Sequence, residues 1–384
     1  MLALVLLVAG VVYAVSRDRG SDSSDDATKP AVPVASPACG YKIAFLGLSS
    51  GQGSEDGVMM RDATRLAIEE FNKKDPACQV EMVEYDTQNK DEVTQESATK
   101  IVEDSKILGV VGPVYRKEIL AAAPILEAAG IPMITPFAPD DDLSARGWKV
   151  FHRVVASDKA QAAAGARYLK TIMRVAKTYI VADDTDYGTV GKDQVSASLG
   201  SDVIGTVEIK RADKDFAGAV KQVLDANPDG VYYAGQYDDG AIFIKQLRTA
   251  KPGIPIVASD RIFTQSFADS HGDVADDVVI TCPCIPADQA DRNFASTFKA
   301  RFSRNATYYG PEAYDAANIY LSGLRAGKGS RDNMLEYVNA YNGPGVARSI
   351  KFTSGGDLDV KSLQIWAYKV SGKYVERDQV IANE

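Results

Sequence analysis

Between Lys42 and Thr281, short apolar runs alternate with stretches of helical period, and the alternation is completed twice. The first series predicts strands at 42–48, 80–85, 107–111 and 132–135, with helices at 59–72, 93–104 and 119–129 between them. A run at 149–154 reads as another strand. The second series begins with a helix at 159–175. It continues through strands at 178–182, 203–209, 230–234, 256–259 and 278–281, the first four separated by helices at 190–199, 216–226 and 240–250. Runs of four to six apolar residues, each followed by a helix, fit a parallel sheet whose crossover helices bury both faces. The spacing therefore predicts an α/β chain with two similar doubly wound sheets side by side. A length of 384 residues, too great for one ordinary core, agrees with two lobes. Helices at 292–302, 309–326 and 333–341 follow. The chain then ends in a predicted hairpin from 349–352 to 363–370, with Gly355-Gly356-Asp357 as its turn.

In open sheets of this kind, ligands gather where strands end and helices begin. The loop after the first strand, Ser49–Gly57, has glycines at 51, 53 and 57. That spacing is one residue too wide for the dinucleotide pattern G-x-G-x-x-G. Glu55 and Asp56 would also oppose a pyrophosphate, so the loop reads as the wall of a small-molecule crevice. The net charge of -9 offers no basic stripe for nucleic acid. Enzyme chemistry lacks its parts: the only histidines are His152 and His271, and no G-x-S-x-G, H-E-x-x-H or Walker pattern occurs. No catalytic residue, cofactor or metal site is expected. Asp140–Asp142 reads as a turn or helix start, because adjacent carboxylates make a poor metal cage.

Residues 1–16 form an apolar leader, read as an export signal or a membrane anchor, and 17–38 a polar linker. Together they predict an extracytoplasmic location. Cys39 and Cys78 each lie just before a predicted strand. If those strands are parallel neighbours, the thiols fall at one end of the sheet, as a disulfide or as two unpaired thiols. Cys282 and Cys284 are too close-spaced for half of a zinc site and read as structural cysteines.

Tyr41–Gly51, Asp183-Asp184-Thr185-Asp186-Tyr187-Gly188, Lys214-Asp215-Phe216, Asp229–Gly235 and Glu312-Ala313-Tyr314-Asp315-Ala316, in that order, resemble the type I periplasmic binding proteins. The branch most similar is that of the Leu/Ile/Val receptors of ABC importers. The resemblance runs over about residues 41–370. It implies two doubly wound lobes joined by three hinge crossovers, here near 155–158, 284–287 and 345–348. Lobe 1 would comprise 39–155 plus 286–345, and lobe 2 would comprise 156–285 plus 346–384. A small ligand (an amino acid, amide or small aromatic acid) would sit between the lobes. The partner would be an ABC permease, and the receptor a monomer. The alternative is the ligand-sensing ectodomain of a membrane-anchored signalling receptor.

In such receptors, first-lobe hydroxyls and backbone N–H groups grip the ligand carboxylate, a second-lobe acid takes the ammonium, and a loop tyrosine closes over the ligand. Carried onto this chain, the acid is Asp260 and the tyrosine Tyr187, while Gln236 stands where relatives often have tyrosine. The first-lobe candidates are Ser50, Gly51, Gln52, Tyr115, Thr135, Phe137 and Ala138. Here the pattern departs from the family. Val114–Glu118 replaces a serine-rich run, and Phe137-Ala138-Pro139 replaces a small residue plus threonine. Tyr115 and Phe137 therefore read as stacking surfaces for a planar ligand or as wall packing.

Overall fold

The computed structural model describes residues 36–211, 213–263, 267, 274–372 and 374–381. The leader, nearly all of the linker and His271 lie outside them. Among the described residues no helix is long and apolar enough to cross a membrane.

Five parallel strands form the first sheet: β1 (Lys42–Gly47), β2 (Glu81–Asp86), β3 (Ile107–Val111), β4 (Met133–Thr135) and β5 (Phe151–Arg153), in the order β2-β1-β3-β4-β5. β3, Ile-Leu-Gly-Val-Val, is buried at every position, which its unbroken apolar sequence requires. The connecting helices are α1 (Glu55–Lys74), α2 (Asp91–Glu103) and α3 (Arg116–Ala128), with the short α4 (Asp141–Ala145) before β5. Glu55 and Asp56 open α1, and Lys73 and Lys74 close it, so charges of the right sign sit at each end of its dipole. Gly57 is there for close approach: a Cβ on it would stand 1.7 Å from the Leu48 carbonyl oxygen. Gly51 and Gly53 instead take positive φ in the loop, at 84° and 79°.

The second sheet has seven strands, in the order β14 (Tyr374–Ile381), β13 (Ile365–Ser371), β10, β9, β8, β6 and β7. β6 (Thr178–Asp183), β7 (Val203–Ile209), β8 (Gly230–Ala234), β9 (Ile256–Ser259) and β10 (Val279–Cys282) are parallel. Their described helices are α5 (Asp158–Arg167), α6 (Asp186–Leu199), α7 (Ala217–Ala226) and α8 (Tyr237–Ala250). The helix expected at 159–175 ends its α-turns at Arg167 and continues as a π-turn over Tyr168–Ile172. The two doubly wound sheets expected from the alternation are both present.

The terminal hairpin forms differently from the expectation. Ser349–Lys351 (β12) pairs with Asn342–Pro344 (β11), whereas Ile365–Ser371 (β13) pairs with β10 on one side and Tyr374–Ile381 (β14) on the other. Burial explains the exchange. Ile365–Tyr368 is buried on both faces and belongs inside a sheet, while β12 buries only Ile350. Gly355-Gly356-Asp357 does turn the chain, with Thr353 N–H donating to the Asp357 carbonyl at 2.7 Å. The turn lies against β5, where Arg153 N–H reaches the Gly356 carbonyl at 2.9 Å.

Three late helices, α9 (Phe294–Phe302), α10 (Gly310–Arg325) and α11 (Arg331–Asn339), complete the packing. α10 lies on α1 and the first sheet, and its Tyr320 hydroxyl stands 3.0 Å from the Val110 carbonyl and 2.8 Å from that of Pro132. The same helix holds two crossovers. Glu312 accepts from Ile285 N–H (3.0 Å) and from the Arg348 guanidinium (2.8 Å), while Asp315 accepts from the N–H groups of Val346 (2.6 Å) and Ala347 (2.9 Å). Burial pushes the Asp315 carboxyl up to about 7, against those two backbone donors. The Cys39 and Cys78 sulfurs are bonded at 2.03 Å beside the first edge of the sheet, and Cys282 is bonded to Cys284.

Candidate functional site

Where the carboxyl ends of the two sheets face each other, a cavity of about 230 Å³ is lined by Asp56, Phe137, Pro139, Asp260, Arg261, Phe263, Cys282, Cys284, Tyr308 and Tyr309. Larger hollows of about 690 Å³ beside α1 and α10 and about 790 Å³ between α7 and α8 lie on outer faces, away from the strand ends. The smaller cavity is the one placed where strand-end loops converge.

Asp260 is its polar centre. It follows β9 and opens a single 3-10 turn, Asp260–Ile262. One oxygen accepts from Gln161 Nε2 at 2.8 Å, and the other from the Tyr309 hydroxyl at 2.7 Å. Gln161 is itself buried and also donates to the Thr281 carbonyl at 2.6 Å. Tyr309 sits at φ 64°, a left-handed conformation that a bulky side chain rarely adopts and that recurs at ligand sites. Its ring meets Phe137 edge-on at 4.6 Å, and Phe137 meets Tyr115 at 5.2 Å. Phe263 packs on Tyr308 at 4.2 Å and on Tyr368 at 4.4 Å. The Cys282–Cys284 bridge finishes the wall, with Cys282 Sγ 3.6 Å from the Tyr309 hydroxyl.

The electrostatics are dominated by carboxylates around one guanidinium. Arg261 lies 4.7 Å from the Tyr187 ring centre. Burial opposes its charge, but Tyr187, Asp260, Asp158 and Asp140 outweigh that and raise it. Asp158, at the first crossover, is pushed up to about 8 by burial, with Arg261 pulling the other way, and its Oδ1 has no hydrogen-bond partner among the described residues. Burial, Glu55 and Asp260 raise Asp56, while burial and Asp260 lift Tyr309 well above the ordinary phenol value.

The structure brings Phe137 and Asp260 into the cavity wall, with Tyr115 behind Phe137 and Tyr187 beneath Arg261. The other candidates stand back from it. The Ser50 hydroxyl donates to Asp86, and Gly51 and Gln52 are exposed. Thr135 Oγ1 accepts from Ala138 N–H at 3.2 Å, which turns both residues into their own buried loop. Gln236 N–H donates to Asp183 at 2.9 Å. Arg116 is occupied by a two-pronged ion pair with Asp142, both contacts 2.9 Å, which holds that acid down at about 2. Sequence reasoning missed Tyr308, Tyr309 and Phe263. The adjacent tyrosines before Gly310-Pro311 were a usable signal, since the loop entering α10 follows directly on a crossover and α9. Nothing in the sequence marked Phe263. His152 is buried in β5, 2.8 Å from the Asn339 side-chain oxygen, a packing role.

Two parallel-sheet α/β lobes, with a cavity where their strand ends converge, are the architecture of a two-lobed binding protein. The comparisons agree. The sequence pattern of the family described as periplasmic binding proteins matches residues 40–355, and the chain belongs to that family. A Leu-, Ile-, Val-, Thr- and Ala-binding protein from Pseudomonas aeruginosa is 24% identical over 324 residues, covering 83% of this chain and 87% of its own. Among solved structures, a leucine-binding protein from Thermotoga maritima superposes with a TM-score of 0.73 at 22% identity, covering 89% of this chain and 98% of its own. An ABC-transporter substrate-binding protein from Sphaerobacter thermophilus gives 0.76 at 19% identity, with 89% and 98% covered.

Proposed function

We propose that this chain is an extracytoplasmic solute receptor that captures a small amino-acid or amide-like ligand between its lobes and presents it to an ABC permease. The single observation that carries the reading is Asp260, a carboxylate at the centre of a cavity whose walls come from both sheets. A carboxylate so placed meets a ligand ammonium by a charge-assisted contact. Phe137, with Tyr115 behind it, contributes a wall from the first lobe, and Tyr187 steadies Arg261 from the second. Ser50, Gly51, Gln52, Thr135, Ala138 and Gln236 form the surrounding loops. The bodies that close are residues 39–155 plus 286–345 against 156–285 plus 346–384. A ligand that touches both favours the closed state by its differential affinity alone. The receptor acts as a monomer and catalyses nothing. The names borne by relatives, with their amino-acid ligands and transporter role, support this reading.

The test is thermal unfolding with and without a panel of amino acids, amides and aromatic acids. A ligand at 100 times its dissociation constant adds about 2.7 kcal/mol to the folded state. One amino acid or amide is expected to raise the midpoint, and Asp260→Ala to abolish the rise. A rise that survives Asp260→Ala removes the acid from the site, and no rise with any compound removes the amino-acid and amide ligand class.

A further inference from the structure

The walls of the interlobe cavity suit a cation that brings no hydrogen-bond donors. Four rings, Phe137, Phe263, Tyr308 and Tyr309, face it, and its charged groups are Asp56, Asp260 and Arg261. Among the described residues, the two phenols are the only hydroxyl or amide side chains that line it. A buried primary ammonium has three N–H donors, each of which needs an acceptor. Asp260 is the central acceptor, and Gln161 and Tyr309 already take two of its roughly four lone-pair positions at 2.8 and 2.7 Å, so it alone does not match three donors. A methylated ammonium carries the same positive charge with few or no donors, and its methyl groups pack on ring faces whose quadrupole is negative. Arg261 does not reverse this preference. Its guanidinium sits over Tyr187 at 4.7 Å, and the carboxylates around it outnumber it. The volume of about 230 Å³ is below the roughly 300–1,000 Å³ of drug-sized sites, which restricts the ligand to a compact head group.

We infer that this cavity recognises an N-methylated ammonium group, the ligand being a quaternary amine of amino-acid size, of the betaine or choline type. The inference rests on the receptor reading above and names the ligand class of that same site. Both members of the class share the trimethylammonium head and differ in the carboxylate that Arg261 stands ready to meet.

Isothermal titration of the chain with two matched pairs, glycine against glycine betaine and ethanolamine against choline, with L-leucine as a third arm, tests it. The trimethylated member of at least one pair is expected to bind at least tenfold more tightly than its primary amine. Betaine without choline shows that the carboxylate is read, and choline with betaine shows that the head suffices. Phe137→Leu keeps an apolar wall but removes a ring, and should weaken the methylated ligand at least fivefold. Phe137→Tyr, which restores a ring, should recover most of that affinity, so a loss through misfolding is told apart. Primary amines that bind as tightly as their methylated partners, or Phe137→Leu without effect on the methylated ligand, overturn the inference. Binding of leucine alone overturns it and leaves the receptor reading standing. Silence from these compounds and from the wider panel overturns both.

Discussion

At the scale of single residues, Asp158 is a side chain whose environment opposes its ordinary charged state. It is buried at the start of α5, and its carboxyl is pushed up to about 8 against an ordinary 3.8. Between those values the folded chain holds a proton that the unfolded chain has released. Its contribution to stability is therefore greatest near pH 4, declines as pH rises and levels off above about 8. Asp158→Asn removes the penalty without changing shape. The variant is expected to unfold at the wild-type temperature near pH 4 and to gain a margin that widens toward pH 8. Even one unit of the pKa shift is worth about 1.4 kcal/mol. Unfolding curves taken across that range decide it, and a margin independent of pH would refute the assignment.

At the scale of elements, α10 is the part on which the crossovers depend. Glu312 and Arg348 are both almost wholly buried and 2.8 Å apart, and Arg348 also reaches the Pro283 carbonyl at 2.7 Å. Breaking such a pair leaves a charge buried alone, which costs about 3–5 kcal/mol. Glu312→Ala should lower stability by that amount in a denaturant titration. Glu312→Leu combined with Arg348→Met should recover a large part of it, because neither charge then remains. A loss below about 1 kcal/mol for Glu312→Ala would mean the pair does not hold the second and third crossovers together. Gly345 is needed at the same place, since a Cβ there would stand 2.2 Å from Asp315 Oδ2.

At the scale of the whole molecule, the Cys39–Cys78 bridge ties the segment that enters β1 to the segment that enters β2, across a sequence separation of 39. A closed loop of that length restricts the unfolded chain, and such bridges typically contribute about 2–4 kcal/mol. Replacing both cysteines by serine should lower the unfolding midpoint while leaving ligand affinity unchanged, because the bridge lies outside the cavity wall. A large change in affinity with an intact fold would show that the bridge acts on the site.

The sequence by itself determined the two parallel sheets, because runs such as Ile107–Val111 and Thr178–Ala182 are apolar at nearly every position and can be buried only between layers of helix. It also placed Asp260 and Phe137 in strand-end loops, where the topology brings ligands. Tertiary structure decided the rest. Whether 363–370 pairs with 349–352 or with β10 depends on which neighbours offer two buried faces, and local pattern does not hold that information. The turning away of Thr135 and the capture of Arg116 by Asp142 depend on partners that compete for the same polar atoms. Tyr309 enters the cavity from a left-handed backbone position at the start of α10, a helix packed against the first sheet. Local composition fixes what is buried, and the meeting of distant segments fixes what faces the ligand.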